Sequence, residues 1–326
     1  MAIYLCERLA WALPLILADL IINFLIVHLV PGDPAQALIG DFPTPAGYVE
    51  QVRREFGLDR PLAQQLGLYL WNVAHGNLGF SFANRQPVLA LILQRAQPTL
   101  LLMLPAMTLA AILGVVLALA SAPKAGSLYD SAVTALSLIG FSLPIFWLGQ
   151  LLVLLFAITL KWLPAQGMIT LRTTPSGWAA VRDVLWHLVL PAFTVTIYYA
   201  AVVARVARAS VVETIGQDFV LTARAKGLSR RAVLWRHVLP NSIIPVVTVV
   251  GYNFGYSLTG AILVETVFAW PGLGHLFITS IGNRDYPVLE GIFLFTAVAV
   301  VVANVLTELL YGVLDPRVRI GHRRHE

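Results

Sequence analysis

The sequence has little cysteine and little charge, and both shortages narrow the class of protein. Its 326 residues include one cysteine, Cys6, so the chain cannot form an internal disulfide or a cysteine metal cage. Charged residues make up 12% of the chain, roughly half their share in soluble domains. Hydrophobic residues make up 58%, and the mean hydropathy is +0.77. A soluble protein this apolar would expose large adhesive patches, so the composition indicates a membrane protein.

Lysine is also scarce, and its placement excludes an ATP-binding loop. The three lysines are Lys124, Lys161 and Lys226, and none of them follows a glycine, so the motif G-x-x-x-x-G-K-[ST] is absent. The sequence contains neither H-E-x-x-H nor G-x-S-x-G, and its seven histidines are scattered. We therefore expect a protein that is not an enzyme, with no catalytic residues, no metal site and no cofactor of its own.

Six segments are long and apolar enough to cross a bilayer, where only helices satisfy the backbone of an isolated span. The first exceeds the apolar core of a cleavable signal peptide, which predicts an uncleaved membrane helix. The third is longer than a span needs, so we expect it to tilt, to kink at Pro144 or to emerge as an interfacial turn. The fold predicted is an all-α polytopic membrane protein with six transmembrane helices. They cover residues 9–30, 99–121, 131–160, 188–204, 242–264 and 291–307, the last extending to 314 if Glu308 is tolerated.

The connections between these segments predict the orientation in the membrane. Thirteen of the 22 Lys and Arg residues fall on the two termini and on the connections 122–130 and 205–241. By the positive-inside rule, both termini and these connections face the cytoplasm. Within the long connection 31–98, two helices are predicted, with Gly57 and Gly76 as their stops. The predicted organisation is a cytoplasmic N-terminus and first helix (1–30), a small extracytoplasmic domain (31–98), a five-helix transmembrane domain (99–314) containing the cytoplasmic loop 205–241, and a cytoplasmic tail (315–326).

The segment "TARAKGLSRRAVLWRHVLPNS", residues 222–242, contains five Lys or Arg residues and no acid. We call it the basic segment. It predicts two short helices, the first ended by Gly227 and the second capped by Ser229. Ala232, Trp235 and Leu239 are expected on one face of the second helix, flanked by Arg231 and Arg236, and Pro240 is expected to end it.

Helices this short need a partner surface. The anionic inner leaflet and a helix-binding groove of a soluble protein are both suitable, and a simple positive-inside anchor is the alternative.

The basic segment resembles the "EAA" loop of type I ABC importer permeases. That pattern is Glu-Ala-Ala, three residues, Gly, nine residues, then Ile-x-Leu-Pro. Here Gly227 is followed after nine residues by "HVLP". The triplet is Leu221-Thr222-Ala223, so the glutamate is absent, and we hypothesise that Asp218 substitutes for it. The form "TARAKGLS" is similar to the peptide and nickel branch of the family.

Further motifs extend this resemblance along nearly the whole chain. Each is weak alone, but they occur in the order and on the sides of the membrane that the branch predicts. They are "PGDPA" (31–35), "FGLDRPL" (56–62), "GNLGFSF" (76–82), "VETVFAWPGLG" (264–274), "RDYPV" (284–288) and "LDPRVR" (314–319).

The resemblance implies that the basic segment is a coupling helix, which lies in a groove of a cytoplasmic ATPase. It implies a bacterial inner-membrane complex with a second homologous permease, two ABC ATPase subunits or domains that bind the ATP, and an extracytoplasmic solute-binding protein. Membrane lipid is the other expected partner, and no nucleic acid is expected. The residues expected to couple to the ATPase are Thr222, Ala223, Arg224, Lys226, Gly227, Arg230, Arg231, Trp235, Leu239 and Pro240.

The substrates implied by the branch are di- and oligopeptides, with nickel chelates and glutathione as alternatives. Nickel prefers imidazole or carboxylate ligands, which helices two, three and five lack, so peptides are favoured. Polar residues inside spans are functional candidates by default. The candidates for the pathway or an outer gate are Asp19, Gln150, Asn253, Tyr256 and Glu265.

Other interpretations of these residues and of the whole chain stay open. Asp19 can instead pair with a neighbouring helix, and Glu265 can belong to a capped turn whose Trp270 lies in the interfacial aromatic belt. For the whole chain, the alternatives are an ion-gradient-driven secondary transporter, which requires paired mid-membrane charges or inverted repeats, and a structural subunit without transport.

Overall fold

The computed structural model describes residues 2–29, 47–55, 57, 59–81, 83–170, 176–260 and 262–314. These described residues form two compact units: those within Met1–Thr99 and Pro271–Val301 make the first unit, and those within Leu100–Trp270 and Val302–Glu326 make the second. The elements in chain order are α1 (Ala2–Leu29), α2 (Tyr48–Glu55), α3 (Leu62–Ala74), β1 (Phe80–Ser81), β2 (Gln86–Pro87), α4 (Val88–Ser121), α5 (Leu128–Ser142), α6 (Ile145–Thr159), α7 (Trp178–Ile215), α8 (Asp218–Ala225), α9 (Arg230–Ser242), α10 (Ile244–Gly260), α11 (Ile262–Val267), α12 (Leu273–Gly282) and α13 (Tyr286–Leu314).

The number of membrane spans agrees with the prediction of six. Among the described residues, four helices are long and apolar enough to cross a bilayer: Ala10–Leu29, Val88–Lys124, Trp178–Ile215 and Tyr286–Gly312. Two further pairs pass together but are bent, α5 with α6 by 100° and α9 with α10 by 52°. Counting each bent pair as one span gives six.

The bend between α5 and α6 confirms the kink predicted at Pro144. The residue before a proline is pushed out of the α region, and Leu143 is extended, with φ −75° and ψ 130°. Helix α5 therefore ends at Ser142, and α6 starts anew after the proline. Near its end α6 widens into a π-helical stretch, Val153–Thr159.

Several helix bounds differ from the predicted spans. Helix α4 begins at Val88 rather than at 99, and α7 covers 38 residues where 17 were predicted. Hydropathy marks only the part of a helix that suits lipid, whereas Ala- and Arg-containing flanks such as "ARVARAS" continue as helix because their helix propensity is high. The predicted fifth span, 242–264, divides between α10 and α11, and α12 lies in what was predicted as a connection.

The first unit is built around the start of α4. Val88, Leu91 and Ile92 pack with Leu273 of α12 and Val288 of α13.

The predicted stops of the two small helices α2 and α3 are confirmed, since Gly57 has φ +66° and Gly76 has φ +76°. A two-residue hairpin follows, in which Phe80 pairs with Pro87 and Ser81 with Gln86. It positions the "GNLGFSF" motif at the start of α4.

The second unit has its largest apolar cluster around Phe268 and Trp270, which pack with Leu102, Leu190 and Val195. Trp270 is fully buried, so the alternative that placed it in an interfacial aromatic belt is wrong. The reason is the turn after α11, where the backbone N–H of Trp270 donates to the carbonyl of Glu265 (2.8 Å) and directs the indole inward.

Candidate functional site

The basic segment forms the two short helices predicted, α8 and α9, joined by a glycine turn. Gly227 adopts φ +78°, and its N–H donates to the carbonyl of Arg224 (2.9 Å). A left-handed residue closing the last turn is a common helix end, and glycine takes that conformation at little cost. The Oγ of Ser229 accepts from the N–H of Ala232 (3.3 Å), which confirms the predicted cap.

One side of this pair of helices is anchored in the second unit. Val220 and Ala223 of α8 and Val233 and Val238 of α9 are buried. They pack in one apolar cluster with Leu119, Ala122 and Val211, which belong to the end of α4, the turn after it and α7. The basic segment is therefore a braced element rather than a loose loop.

The face predicted for α9 is wrong, and a π turn at Leu234–Val238 is the reason. In an α-helix Ala232, Trp235 and Leu239 share a face, but a π turn adds a residue and aligns positions five apart. Val233 and Val238 therefore point together into the cluster, while Trp235 is turned outward and is 52% exposed.

Pro240 does not end α9, which continues through it to Ser242. A proline inside an α-helix collides with the carbonyl four residues earlier. The π turn directly before Pro240 widens the helix, and the N–H of Leu239 donates to the carbonyl of Leu234, five residues back. The backbone therefore accommodates the ring, and the chain bends by 52° only after Ser242.

The outward side of the basic segment is cationic and partly aromatic. Arg224, Lys226, Arg231, Arg236 and Trp235 are all exposed. Of the remaining predicted coupling residues, Thr222 and Pro240 are exposed, Leu239 is half-buried and Ala223 is buried. Asp218 lies exposed in the first turn of α8, where a carboxylate favours the helix dipole. Its substitution for the missing glutamate stays a hypothesis.

Sequence reasoning missed the contacts that hold the neighbouring turn, residues 122–130, which we call the brace turn. The guanidinium of Arg230 donates to the carbonyl of Pro123 (2.6 Å). At the other end of the turn, Arg208 of α7 forms a bidentate ion pair with Asp130 at 2.6 Å for both bonds. A local signal for part of this existed, since Ser127 and Asp130 form an S-x-x-D capping pattern before an apolar run. The Oγ of Ser127 accepts from the N–H of Asp130 (3.2 Å).

The predicted pathway residues are distributed over both units. Glu265 is fully buried on α11, and Gln150 is exposed on α6. These two helices pack together where Val267 of α11, and Phe268 directly after it, lie against Gly149. Asn253 of α10 is half-buried and donates to the carbonyl of Val249 (2.7 Å). Tyr256 lies on the same helix, but its side chain is outside the described part of the chain.

Asp19 is the pathway candidate in the first unit. It is half-buried on α1, and its carbonyl accepts from the side chain of Asn23 (2.8 Å). The roles of Asp19 and of the other pathway candidates in transport stay predictions.

Two of the sequence motifs meet in the first unit although about 200 residues separate them. Ser81 of "GNLGFSF" donates its hydroxyl hydrogen to the carboxylate of Asp285 in "RDYPV" at 2.5 Å. The Ser81 Oγ also accepts from the backbone and side-chain N–H groups of Asn84, at 3.0 Å each. Burial raises the pKa of Asp285 above its usual value, and the hydrogen bonds from Ser81 and Asn84 oppose that rise. The motifs "PGDPA" and, apart from Leu314, "LDPRVR" lie outside the described residues.

Comparison with known families decides the identity. Residues 110–320 match the family described as "Binding-protein-dependent transport system inner membrane component", and residues 1–103 match the N-terminal family of the same membrane components. The chain belongs to this family. It is a permease subunit of an ABC importer of bacterial inner membranes, as the resemblance implied.

Relatives of the permease match it over nearly their full length. A peptide transport system permease protein of Brucella abortus (strain 2308) is 40% identical over 319 residues, covering 98% of this chain and 99% of the relative. The dipeptide transport system permease protein DppB of Escherichia coli (strain K12) is 37% identical over 333 residues, covering 97% and 98%.

Solved structures support the fold of the permease. The methionine ABC transporter MetNI, in inward-facing conformations, matches with a TM-score of 0.54 and 15% identity, covering 69% of this chain and 96% of that chain. An amino acid ABC transporter with histidines matches with a TM-score of 0.50 and 16% identity, covering 68% and 92%. At such identities the similarity establishes the fold alone.

Proposed function

We propose that this permease forms half of the translocation pathway of an ATP-driven importer for di- or oligopeptides. The other half is a second homologous permease, two ABC ATPase subunits or domains supply the energy, and an extracytoplasmic binding protein delivers the solute. The substrate class is supported by the relatives, which are named as peptide and dipeptide permeases at 37–40% identity. Nickel chelates and glutathione are the alternative substrates.

The observation that carries the coupling role is the two-sided construction of the basic segment. Val233 and Val238 anchor it in the apolar cluster, whereas Arg231, Trp235 and Arg236 are presented outward. An element that transmits movement of a soluble ATPase to membrane helices needs one side packed against those helices and another side that binds the ATPase. Exposed Arg and Trp side chains are typical anchors of protein interfaces, and helices commonly dock in grooves.

The orientation follows from the same segment. With its cationic face in the cytoplasm, the basic segment and the brace turn lie on the side where ATP is available. By the same rule, the connection 31–98 is expected on the extracytoplasmic side, where a binding protein delivers solute.

A cysteine crosslink tests the docking. In a Cys6→Ser background, single cysteines replace Arg231 and Trp235, which are exposed on α9. Val233→Cys is the buried control on the same helix, and Trp162→Cys is an exposed control on the predicted opposite side. Crosslinking is carried out in membranes with and without ATP.

We expect an adduct between the ATPase and the two exposed positions of α9, with a yield that changes with nucleotide, and none at the controls. The absence of an adduct at both exposed positions, together with quenching of Trp235 fluorescence by lipid-borne quenchers, would contradict the docking role. The basic segment would then be a membrane anchor.

A further inference from the structure

The brace turn connects the basic segment to the long helix α7 by contacts that do not follow the chain. It begins with a single 3₁₀ turn, Ala122–Lys124, continues through Gly126 at φ +82°, and ends where Ser127 caps α5. Six residues, 122–127, therefore link the end of α4 to the start of α5, and the last three residues of the brace turn are the first of α5. Both ends of this turn are attached to other elements of the second unit.

The first attachment is the ion pair between Asp130 and Arg208. The Nε and Nη2 of Arg208 donate to the two carboxylate oxygens of Asp130 at 2.6 Å each. The backbone N–H of Gly126 also donates to Asp130 (3.0 Å). Asp130 is only 3% exposed, so its charge depends on these donors. A bidentate pair fixes orientation as well as distance.

The second attachment joins the brace turn to α9. The Nη2 of Arg230 donates to the carbonyl of Pro123 at 2.6 Å, and Ala122 packs in the same apolar cluster as Val233 and Val238. The basic segment, the brace turn and α7 are therefore joined to one another by side-chain contacts as well as along the chain. Along the chain itself, the route from α9 to α7 passes the Gly227 turn and the bend at Gly216, both of which are suited to bending.

We propose that Asp130 and Arg208 are a positioning pair that transmits displacement of the basic segment to α5 and α7. Movement of α9 reaches α7 directly through Val211 in the apolar cluster. It also reaches the brace turn through Arg230 and Ala122, and from there the ion pair passes it to α7 by a second route that fixes orientation. Because α5 starts inside the brace turn, the same displacement reaches α5. This inference rests on the proposed function, in that it takes the basic segment as the surface on which the ATPase acts.

The test separates this role from a merely structural one by comparing charge-unbalanced with neutral pairs. Asp130→Asn and Arg208→Gln each remove one partner, and Arg208→Gln leaves a buried carboxylate unpaired, which destabilises proteins strongly. The double variant Asp130→Asn with Arg208→Gln has no unpaired buried charge, so assembly of the complex recovers. Arg208→Lys keeps the charge but loses the fork of donors. Glu213→Gln, an exposed carboxylate on the same helix, is the matched control.

The readout is the number of ATP molecules hydrolysed per peptide imported, measured on the whole importer in proteoliposomes. We expect the neutral double variant to assemble normally and to raise this ratio by about fivefold or more, the lower end of typical couplings between sites. Arg208→Lys is expected to give an intermediate ratio, and Glu213→Gln an unchanged one. Crosslinking of the Trp235→Cys position to the ATPase is measured on the same samples and is expected to persist.

Either of two results would overturn the proposal. If the neutral double variant assembles, docks and keeps the normal ratio, the pair has only a structural role. If Arg208→Lys leaves the ratio unchanged while retaining assembly, the bidentate geometry is not used. If the crosslink at Trp235→Cys is missing in the protein that keeps Asp130 and Arg208, the docking on which the proposal rests is refuted instead. Failure of the docking and failure of the positioning role are therefore distinguishable.

Discussion

Helices α4 and α7 cross so closely at Gly114 that a single methyl group should force them apart. A Cβ added at Gly114 would lie 2.6 Å from the Cβ and Cγ1 of Val203 and 2.9 Å from the backbone nitrogen of Ala204. Carbon atoms in good contact are about 3.5–4.0 Å apart, so the helices would have to separate by about 1 Å. Small residues at helix crossings in membranes allow this kind of close approach.

The expected cost of Gly114→Ala follows from two opposing effects. Overpacking a well-packed site typically costs about 1–3 kcal/mol. Replacing a glycine inside a helix by alanine returns about 0.5–1 kcal/mol through backbone entropy. One of the clashing atoms is backbone, which cannot rotate away, so we expect a net loss of about 1–2 kcal/mol in the free energy of unfolding. The apolar cluster of Ala118, Val203 and Val246 would loosen with it.

Unfolding of the purified permease by SDS, followed by tryptophan fluorescence, measures this loss. Gly282→Ala is the control, since a Cβ there has no neighbour within 4 Å and the backbone is helical. We expect the control to be as stable as the unaltered chain or slightly more so. Val203→Ala in the Gly114→Ala background should restore only part of the loss, because the clash with the Val203 Cβ and with the Ala204 nitrogen remains. Equal stability of Gly114→Ala and Gly282→Ala would refute the reasoning.

Three further predictions concern the turns of both units. Because burial raises the pKa of Asp285, its folded state favours the protonated form, so this carboxyl stabilises the fold most at low pH and less as pH rises through the raised pKa. Amide hydrogen exchange around Ser81 should therefore speed up with rising pH more steeply than the intrinsic pH dependence of amide exchange. Asp285→Asn should remove this additional acceleration. If the additional acceleration persists in Asp285→Asn, the assignment to Asp285 is wrong. Ser229→Ala should cost about 1 kcal/mol in protection of the first amides of α9, and an unchanged exchange rate there would show that the cap contributes nothing. Gly227→Ala should cost about 1–2 kcal/mol from its left-handed backbone alone, since a Cβ there meets no atom within 4 Å; stability equal to that of the unaltered chain would refute this.

Local signals were sufficient for much of the basic segment. Gly227 and Ser229 act within a few residues of their own positions, through backbone angle and side-chain capping, so their roles could be predicted from the sequence. The kink at Pro144 is of the same kind, because a proline constrains the residue directly before it. The number of spans followed from hydropathy, which depends on lipid rather than on neighbouring helices.

The face of α9 could not be predicted because its periodicity changes within the helix. Assuming 3.6 residues per turn aligned Ala232 with Trp235 and Leu239, whereas the π turn aligns Val233 with Val238. The proline that closes "LWRHVLP" is the one local signal: its ring would collide with the carbonyl four residues earlier in a regular α-helix, and the π turn avoids that collision.

Contacts between distant parts of the chain were the other limit. Asp130 and Arg208 are 78 residues apart, and Ser81 and Asp285 are 204 apart. Each of these residues lies in a segment that the sequence analysis singled out, either as a cytoplasmic connection or as a motif. A single sequence, however, does not indicate which of these segments contact one another in the fold. The resemblance to a family identified the motifs and not the bonds between them.

The central claim is that this permease uses a separate ATPase to import peptides. The most direct measurement is uptake of a labelled dipeptide into proteoliposomes that contain the whole importer, with the binding protein supplied at the outer side and ATP at the side of the basic segment. We predict uptake that requires ATP, the ATPase and the binding protein, that persists when ionophores collapse all ion gradients, and that unlabelled oligopeptides inhibit more strongly than nickel chelates or glutathione. Uptake that proceeds without ATP and disappears with ionophores would contradict the account and identify an ion-driven transporter.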